Sequence, residues 1–279
     1  MRIIKAVCPA SLSFIFKAVN NIDPLKAGSV GIGTTLDKNV TVIVSKNNSG
    51  QIFFNGVPIS FPTVVSVIKS LTDQSLKIDI SSLLPLGYGF GISAASALAS
   101  AFAVNRLMTL GKSKEELIRI THRAEIVNHT GLGSTVTAAT GGFLLKTKAG
   151  IPTKTKLLPF TGQKLYAVII DKLTTPTVLN SKIRLRTVNN VAEGVLETIH
   201  KNSFLKLKDV IDLGYIFAVK AGLLTDIRVI SVINDIRKKG KHATMAMLGQ
   251  VVISDTKPRL KVNYRIEELT VSKEIVRLI

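Results

Sequence analysis

The segment from Ile80 to Asn105 contains no charged side chain, although 20% of the chain is charged. A long uncharged segment is usually buried, either in a membrane or in a protein core. Pro85 and the glycines at positions 87, 89 and 91 divide this segment, so the apolar run from Ile92 to Val104 is too short to span a bilayer. The sequence therefore predicts a buried helix that follows a glycine-rich loop.

The glycine-rich loop has the features of an anion-binding site. Gly87, Gly89 and Gly91 let backbone N–H groups approach a ligand, and the helix that follows offers unsatisfied N–H groups at its first turn. The loop is neither a Walker A motif, because no Lys-Ser or Lys-Thr follows, nor a dinucleotide fingerprint, because Ile92 occupies the third glycine position. On the glycines alone, a structural turn between a strand and a helix is an equally good interpretation.

Charge and cysteine content exclude several classes of protein. The chain has 37 basic and 18 acidic residues, a formal net charge of +19, and 46% hydrophobic residues, so it can bury a core and is not expected to be disordered. The basic clusters at 182–186 and 237–241 lack interleaved aromatic residues, so neither a specific nucleic acid nor a membrane is expected as a partner. Cys8 is the only cysteine, which excludes an intramolecular disulfide and fits a cytoplasmic compartment.

Local patterns predict a mixed order of strands and helices. Pro9, Ser11 and Ser13 interrupt the apolar N-terminal stretch, which favours a buried strand over a signal peptide. A capping box from Ser113 to Glu116 predicts a helix that ends near Asn128. The other predicted elements are a hairpin of Asn39–Ser45 with Gln51–Val57, helices at Pro62–Leu71, Ser93–Met108, Thr187–Lys201, Leu205–Gly222 and Thr225–Lys238, a short helix between Gly131 and Gly142, and strands at Phe143–Thr147, Leu165–Ile170 and around Met245–Ile253.

A second group of residues follows the uncharged segment. It comprises His122-Arg-Ala-Glu125 on a predicted helix and the loop from Asn128 to Thr135. A phosphate loop, a carboxylate and a second glycine loop are what a nucleotide-dependent phosphotransferase needs to hold phosphates, Mg²⁺ and an acceptor. For Glu125 taken alone, an exposed helix carboxylate is the more common interpretation.

These motifs resemble those of the GHMP kinases, and more narrowly those of the archaeal pantoate kinases. The matching segments are Ala27–Gly33, Pro85–Ala94, His122–Glu125, Gly131–Gly133 and Met245–Gly249. They occur in the order found in the family and, with the region from about Pro9, cover nearly the whole chain. Several motifs in this order are far more specific than one glycine loop.

The resemblance implies an α+β GHMP kinase fold. Its N-terminal domain would be similar to domain 2 of ribosomal protein S5 and its C-terminal domain ferredoxin-like, with ATP between them. The Gly-Ile-Pro-Thr stretch at 150–153 predicts the boundary, so the ATP-binding domain would comprise residues 1–152 and the C-terminal domain residues 153–279. The implied activity is the ATP- and Mg²⁺-dependent phosphorylation of the hydroxyl of pantoate to 4-phosphopantoate, on the route to coenzyme A. The resemblance is compatible with a homodimer but does not determine the oligomeric state.

The resemblance also implies roles for individual residues. Ser93 and Glu125 would hold Mg²⁺, and with Ser134 they form the implied catalytic set. The implied ATP-binding residues are Pro85, Gly87, Tyr88, Gly89, Phe90, Gly91, Ile92, Ser93, Ala94 and Ala95. The residues implied to face the acceptor are Ser11, Ser13, Gly28, Ser29, Thr130, Gly131 and Gly133.

Ser134 is the departure from the family that bears most on mechanism. The family's Gly-Leu-Gly motif is normally followed by an Asp that orients or deprotonates the acceptor hydroxyl, and a serine cannot be that base near neutral pH. General-base assistance is worth about 10²–10⁴-fold, whereas phosphoryl transfer owes most of its rate to positioning and charge neutralisation. Activity is therefore expected to survive without the Asp, either at a lower rate or with another residue as the base. His122 and His129 are candidates, although histidines in such loops more often form hydrogen bonds or face solvent.

Three other functions remain alternatives at the level of the sequence. A GHMP kinase for a different small alcohol, such as homoserine or a mevalonate-like compound, would share the phosphate loop but not the acceptor pocket. A homologue that binds nucleotide without transferring phosphate would account for Ser134. An RNA-binding protein built on the S5-like domain would account for the positive charge but would leave the glycine motifs unexplained.

Overall fold

The computed structural model describes residues 2–46, 50–172, 182–201 and 204–279. The described strands are β1 (Ile3–Val19), β2 (Gly28–Lys46), β3 (Ile52–Phe54), β4 (Val57–Pro58), β5 (Leu76–Ser82), β6 (Phe143–Lys148), β7 (Lys154–Leu158), β8 (Lys164–Asp171), β9 (Ala243–Met245), β10 (Gln250–Ser254), β11 (Arg265–Ser272) and β12 (Arg277–Leu278). The described helices are α1 (Pro62–Lys69), α2 (Ile92–Leu107), α3 (Lys114–Val127), α4 (Ser134–Thr140), α5 (Lys182–Lys201), α6 (Leu207–Lys220) and α7 (Ile227–Lys238). This mixture confirms an α+β fold.

A single sheet joins the N-terminal and C-terminal strands. Its path runs β4-β3-β5-β2-β11-β8-β10-β9, and β1 and β6 also pair with β2. The long antiparallel pair of β1 and β2 includes Phe16 opposite Gly31, where the missing side chain lets the β1 backbone approach closely. Because β2 also pairs with β5, β6 and β11, it connects the two halves of the chain.

Helix α2 is buried on almost every side, as the uncharged segment predicts. Leu98 and Val104 are fully buried, and so are the small polar residues Ser96 and Ser100. Its many alanine and serine side chains let the helix pack closely against β1, β2, α1 and α3. This packing fixes the first turn of α2 at the end of the glycine-rich loop.

The predicted helices are confirmed within a few residues at most of their ends. The capping box is present, because the Ser113 hydroxyl accepts the Glu116 N–H (3.2 Å) and the Glu116 carboxylate accepts the Ser113 N–H (2.8 Å). The helix predicted to begin at Thr187 begins at Lys182. Local signals for helices are thus reliable in this chain, since caps and breakers lie close in sequence to the ends they determine.

Two strand predictions are wrong. The predicted hairpin does not form, because β5 lies between β2 and β3, antiparallel to the first and parallel to the second. Ile78 and Ile80 of β5 are buried, so pairing β5 with β2 removes apolar surface from water. The strand predicted around Met245–Ile253 is two antiparallel strands, β9 and β10, with residues 246–249 between them. Most of the predicted hairpin turn, at 47–49, lies outside the described residues.

Strand β7 is relevant to the predicted domain boundary. It pairs antiparallel with β6 immediately after the Gly-Ile-Pro-Thr stretch, so the chain remains in the same sheet beyond residue 152. The division at residue 152 stays a prediction. No helix in the described part of the chain is both long and apolar enough to cross a membrane.

Candidate active site

A cavity of about 310 Å³ lies between the glycine-rich loop, the start of α2 and the loop before α4. The predicted site residues that line it are Ser11, Ser13, Ser29, Gly87, Gly89, Phe90, Gly91, Ile92, Ser93, Thr130, Gly131, Gly133 and Ser134. Its wall also contains Phe16, Ser60, Phe61, Pro62, Leu86, Leu132, Lys146, Met247 and Leu248. The predicted residues Pro85, Tyr88, Ala94, Ala95, Gly28 and Glu125 are not part of the wall. The fold thus brings residues from β1, β2 and both glycine loops to one cavity.

The glycine-rich loop takes a shape that requires glycine. Gly87, Gly89 and Gly91 have φ angles of 90°, 82° and 64°, which side chains disfavour. A Cβ atom on Gly89 would lie 3.1 Å from the Cα of Gly249, and one on Gly249 would overlap the Tyr88 carbonyl oxygen. The loop therefore packs backbone against backbone on the segment between β9 and β10, which explains why the two motifs belong together.

The first turn of α2 is free to bind an anion. Gly91 is its N-cap, no side chain caps the helix, and the first turn contains no acidic residue. Ile92 and Ser93 line the cavity, so the unsatisfied N–H groups and the positive end of the helix dipole lie at its wall. The side chains of Ala94 and Ala95 are buried, and the Ala95 N–H already donates to the Gly91 carbonyl oxygen (3.0 Å). The geometry fits a phosphate group.

Backbone hydrogen bonds attach these segments to β1. The Ser11 N–H donates to the Phe90 carbonyl oxygen (2.9 Å), and the Met247 N–H donates to the Ser13 carbonyl oxygen (3.0 Å). A Cβ atom on Gly91 would overlap the Ser11 hydroxyl, so this serine lies directly against the loop. Ser11 therefore supports the glycine-rich loop and Ser13 supports the segment between β9 and β10, and both serines line the cavity.

Glu125 is buried, not exposed at the helix surface. Its side chain is 1% exposed, and its two carboxylate oxygens accept the N–H groups of Ser134 (3.2 Å) and Thr135 (3.1 Å). A Cβ atom on Gly131 would overlap one of these oxygens, so the carboxylate lies immediately behind the loop that forms the cavity wall. Glu125 thus orders the second glycine loop and the start of α4.

Lys146 is a site residue that the sequence analysis missed. It is only 6% exposed, lines the cavity, and directs its Nζ to the Gly133 carbonyl oxygen (3.1 Å) and the Ser29 hydroxyl (3.5 Å). Burial lowers the pKa of Lys146 to about 8, and the charge of Glu125 opposes this shift. The one available signal was a lysine that directly follows the apolar residues 143–145 of β6. A buried ammonium with two neutral partners is well placed to bind an anionic ligand.

The histidines do not supply a base at the cavity wall. His122 is buried and its Nε2 lies 3.0 Å from the Ala27 carbonyl oxygen. His129 occupies a turn with a φ of 53°, and neither residue is among those that line the cavity. His242 pairs with Asp212, with 2.7 Å between Nδ1 and Oδ2. No histidine in the described part of the chain lines the cavity, so both base candidates remain untested predictions without geometric support.

Comparisons with known proteins agree on one family. A family model described as the N-terminal domain of GHMP kinases matches residues 62–146. The pantoate kinase of Methanospirillum hungatei is 30% identical over 255 residues, which cover 88% of this chain and 85% of that protein. The pantoate kinase of Methanocaldococcus jannaschii is 28% identical over 256 residues, or 89% of this chain and 91% of that protein. A solved structure described as a phosphotransferase related to the CoA biosynthesis pathway has a TM-score of 0.84 at 24% identity and covers 99% of this chain and 98% of that one.

Proposed function

Because the chain belongs to the pantoate kinase family of the GHMP kinases, we propose that it transfers the terminal phosphoryl group of ATP to the hydroxyl of pantoate. The product is 4-phosphopantoate, a precursor of coenzyme A. The observation that carries this proposal is one cavity with a phosphate-binding helix end on one side and the buried ammonium of Lys146 in its wall. A kinase for a small carboxylate-bearing alcohol needs both.

The phosphate side of the cavity suits a nucleoside triphosphate. ATP supplies the phosphoryl group, and Mg²⁺ neutralises charge on its oxygens. The uncapped first turn of α2 and the backbone of the loop at 87–91 bind the phosphates. Ser93 would offer Mg²⁺ a hydroxyl oxygen at the cavity wall. Glu125 is the candidate for the carboxylate of the metal; it lies behind the wall, where both of its oxygens accept backbone N–H groups. Mg²⁺ usually takes its other ligands from phosphate and water.

The acceptor side suits a small, partly apolar carboxylate. The Lys146 ammonium binds the carboxylate of pantoate, with the Ser29 hydroxyl beside it. Phe16 and Leu132 line the same cavity and offer apolar surface to the two methyl groups of pantoate. No acidic side chain is found among the described residues of the cavity wall, so the ammonium group of homoserine would lack a partner there.

The chain's own groups act mainly by positioning. The N–H groups at the start of α2 orient the phosphates, and the loop from Thr130 to Ser134 orients the acceptor hydroxyl in line with them. Glu125 holds this loop through the N–H groups of Ser134 and Thr135. Because positioning and charge neutralisation supply most of the rate, transfer proceeds without an acid at position 134.

We expect Ser134→Asp to retain activity and to raise kcat. The new carboxylate would lie in the first turn of α4, where the helix dipole favours it, beside the acceptor hydroxyl whose proton it can accept. Steady-state kinetics with saturating ATP and pantoate test this. Ser134→Ala is the control and should keep a near-wild-type kcat. Complete loss of activity in both variants would show instead that the serine hydroxyl itself is required.

The KM for pantoate is expected to rise as the pH increases through about 8. Burial lowers the pKa of Lys146 to about 8, so the ammonium is charged below this pH and loses its charge above it. Kinetics across this range at saturating ATP measure the effect, and the KM for ATP is the internal reference. Lys146→Arg should flatten the profile, since a guanidinium stays charged. A pantoate KM that is constant or falls with pH would argue against a role for the ammonium.

A panel of acceptors separates the proposed substrate from other alcohols. Pantoate, homoserine and mevalonate are each supplied with ATP and Mg²⁺, and ADP formation is followed. The proposal expects the highest kcat/KM for pantoate. A higher value for another acceptor would reassign the substrate, and nucleotide binding without turnover of any acceptor would favour a binding protein.

A further inference from the structure

A chain of hydroxyl groups links the first turn of α2 to the loop before α4. Ser93 Oγ lies 3.4 Å from Thr63 Oγ1, and Thr63 Oγ1 lies 2.8 Å from Thr130 Oγ1. The Thr130 hydroxyl lies in turn 3.4 Å from the backbone carbonyl oxygen of Glu125. Thr63 is the second residue of α1 and is fully buried, so its hydroxyl depends on these protein partners.

The two outer hydrogen bonds of this chain have defined donors, Thr130 towards Glu125 and Ser93 towards Thr63, whereas either hydroxyl of the Thr63–Thr130 pair could donate by geometry alone. A carbonyl oxygen can only accept, so the proton of Thr130 points to Glu125. Each hydroxyl has one proton, which means that Thr63 donates to Thr130 and not the reverse. Thr63 then accepts the proton of Ser93. The direction is therefore Ser93 to Thr63 to Thr130 to the Glu125 carbonyl oxygen.

This direction has a consequence for Ser93. With its proton committed to Thr63, away from the cavity, its oxygen keeps lone pairs for a ligand at the cavity wall. Lone pairs attract a cation, whereas a hydroxyl proton that pointed into the cavity would repel it. The hydrogen-bond chain thus makes the Ser93 side chain an acceptor at the cavity.

We propose that Thr63 is a positioning residue for the divalent cation: its buried hydroxyl accepts the proton of Ser93 and so presents the Ser93 lone pairs to the metal. This inference rests on the proposed function, because it takes Ser93 to be a ligand of Mg²⁺. Thr63 is absent from the cavity wall and acts only through Ser93. Outer-shell partners of this kind typically contribute about 10–100-fold to metal affinity.

The test compares ADP binding by calorimetry in excess Mg²⁺ and in excess EDTA. The ratio of the two affinities measures how much the metal strengthens nucleotide binding, without any acceptor or turnover. Thr63→Val keeps the shape of the side chain and removes its hydroxyl, and it is expected to lower the ratio at least about tenfold. The affinity in EDTA should stay within about twofold of wild type, since the phosphate loop is untouched.

Two further variants separate the hydroxyl from packing. Thr63→Ser restores the acceptor and should return the ratio to within about threefold of wild type. Thr121→Val is the matched control, because Thr121 is also fully buried but its hydroxyl donates only to the Leu117 carbonyl oxygen within α3. If Thr63→Val does not fold, Thr63→Ala takes its place.

The proposal would be overturned by an unchanged affinity ratio in Thr63→Val. It would also be overturned if Thr63→Ser lowered the ratio as much as Thr63→Val does. A wild-type protein whose ADP affinity does not depend on Mg²⁺ would overturn it as well. A wild-type protein that couples Mg²⁺ to ADP but fails to phosphorylate pantoate would contradict the proposed function alone. The two inferences therefore fail in distinguishable ways.

Discussion

Replacement of Lys146 with methionine is expected to raise the KM for pantoate by about 100-fold, which corresponds to about 3 kcal/mol. The ammonium is buried beside the Ser29 hydroxyl and the Gly133 carbonyl oxygen, and it provides the positive charge that we assign to the substrate carboxylate. Methionine fills similar volume without charge. Steady-state kinetics with varied pantoate at saturating ATP measure the change.

The controls for this variant separate substrate binding from a general loss of structure. The KM for ATP should change by less than about threefold, because the phosphate loop does not include this residue. Lys148→Met removes an exposed lysine two positions further along β6 and should behave as wild type. An unchanged KM for pantoate in Lys146→Met would show that the Lys146 ammonium does not bind the acceptor.

Glu125→Gln is expected to lower kcat by about 100-fold or more, the size of effect seen when one preorganised group is removed from an active site. The amide loses the negative charge that we assign to Mg²⁺. It also replaces one acceptor oxygen with a donor that faces the N–H group of Ser134 or Thr135. Turnover at saturating ATP and pantoate measures the loss.

Glu115→Gln is the matched control for this prediction. Glu115 lies on the same helix, α3, but is exposed, so its loss of charge should leave kcat unchanged. Circular dichroism shows whether both variants keep the fold. If Glu125→Gln is folded and turns over at the wild-type rate, Glu125 holds neither the metal nor the loop in the way described.

The shape of the glycine-rich loop and the burial of α2 were predictable because their signals are local. Gly87, Gly89 and Gly91 need φ values that only glycine adopts easily, and the helix after them has to be buried because it carries no charge. The α+β GHMP kinase fold expected from the ordered motifs is confirmed by the related structure. The loop and the helix depend on residues close together in the sequence, whereas the fold was inferred from motifs spread along nearly the whole chain.

The part of the cavity wall around Lys146 was harder to predict because its geometry depends on distant residues. Lys146 is in the site only because Gly133, 13 positions away, and Ser29, 117 positions away, come together around it. Glu125 similarly resembles an ordinary helix carboxylate until the loop at Ser134 folds over it. Periodicity and caps carry no information about such contacts.

The wrong hairpin has a similar cause. The turn-forming residues after Lys46 predict a reversal of the chain, but they do not specify which strand pairs with β2. β5 pairs with β2 and buries Ile78 and Ile80, and β3 pairs with the other edge of β5. Competition between strands for one edge is decided by burial across the whole sheet.

The most direct test of the account is phosphorus NMR of a reaction that contains purified protein, ATP, Mg²⁺ and pantoate. The account predicts ADP and a phosphate monoester of pantoate in equal amounts, with neither formed when pantoate is left out. ADP without the monoester, or no reaction of pantoate under conditions in which homoserine or mevalonate is phosphorylated, would contradict it.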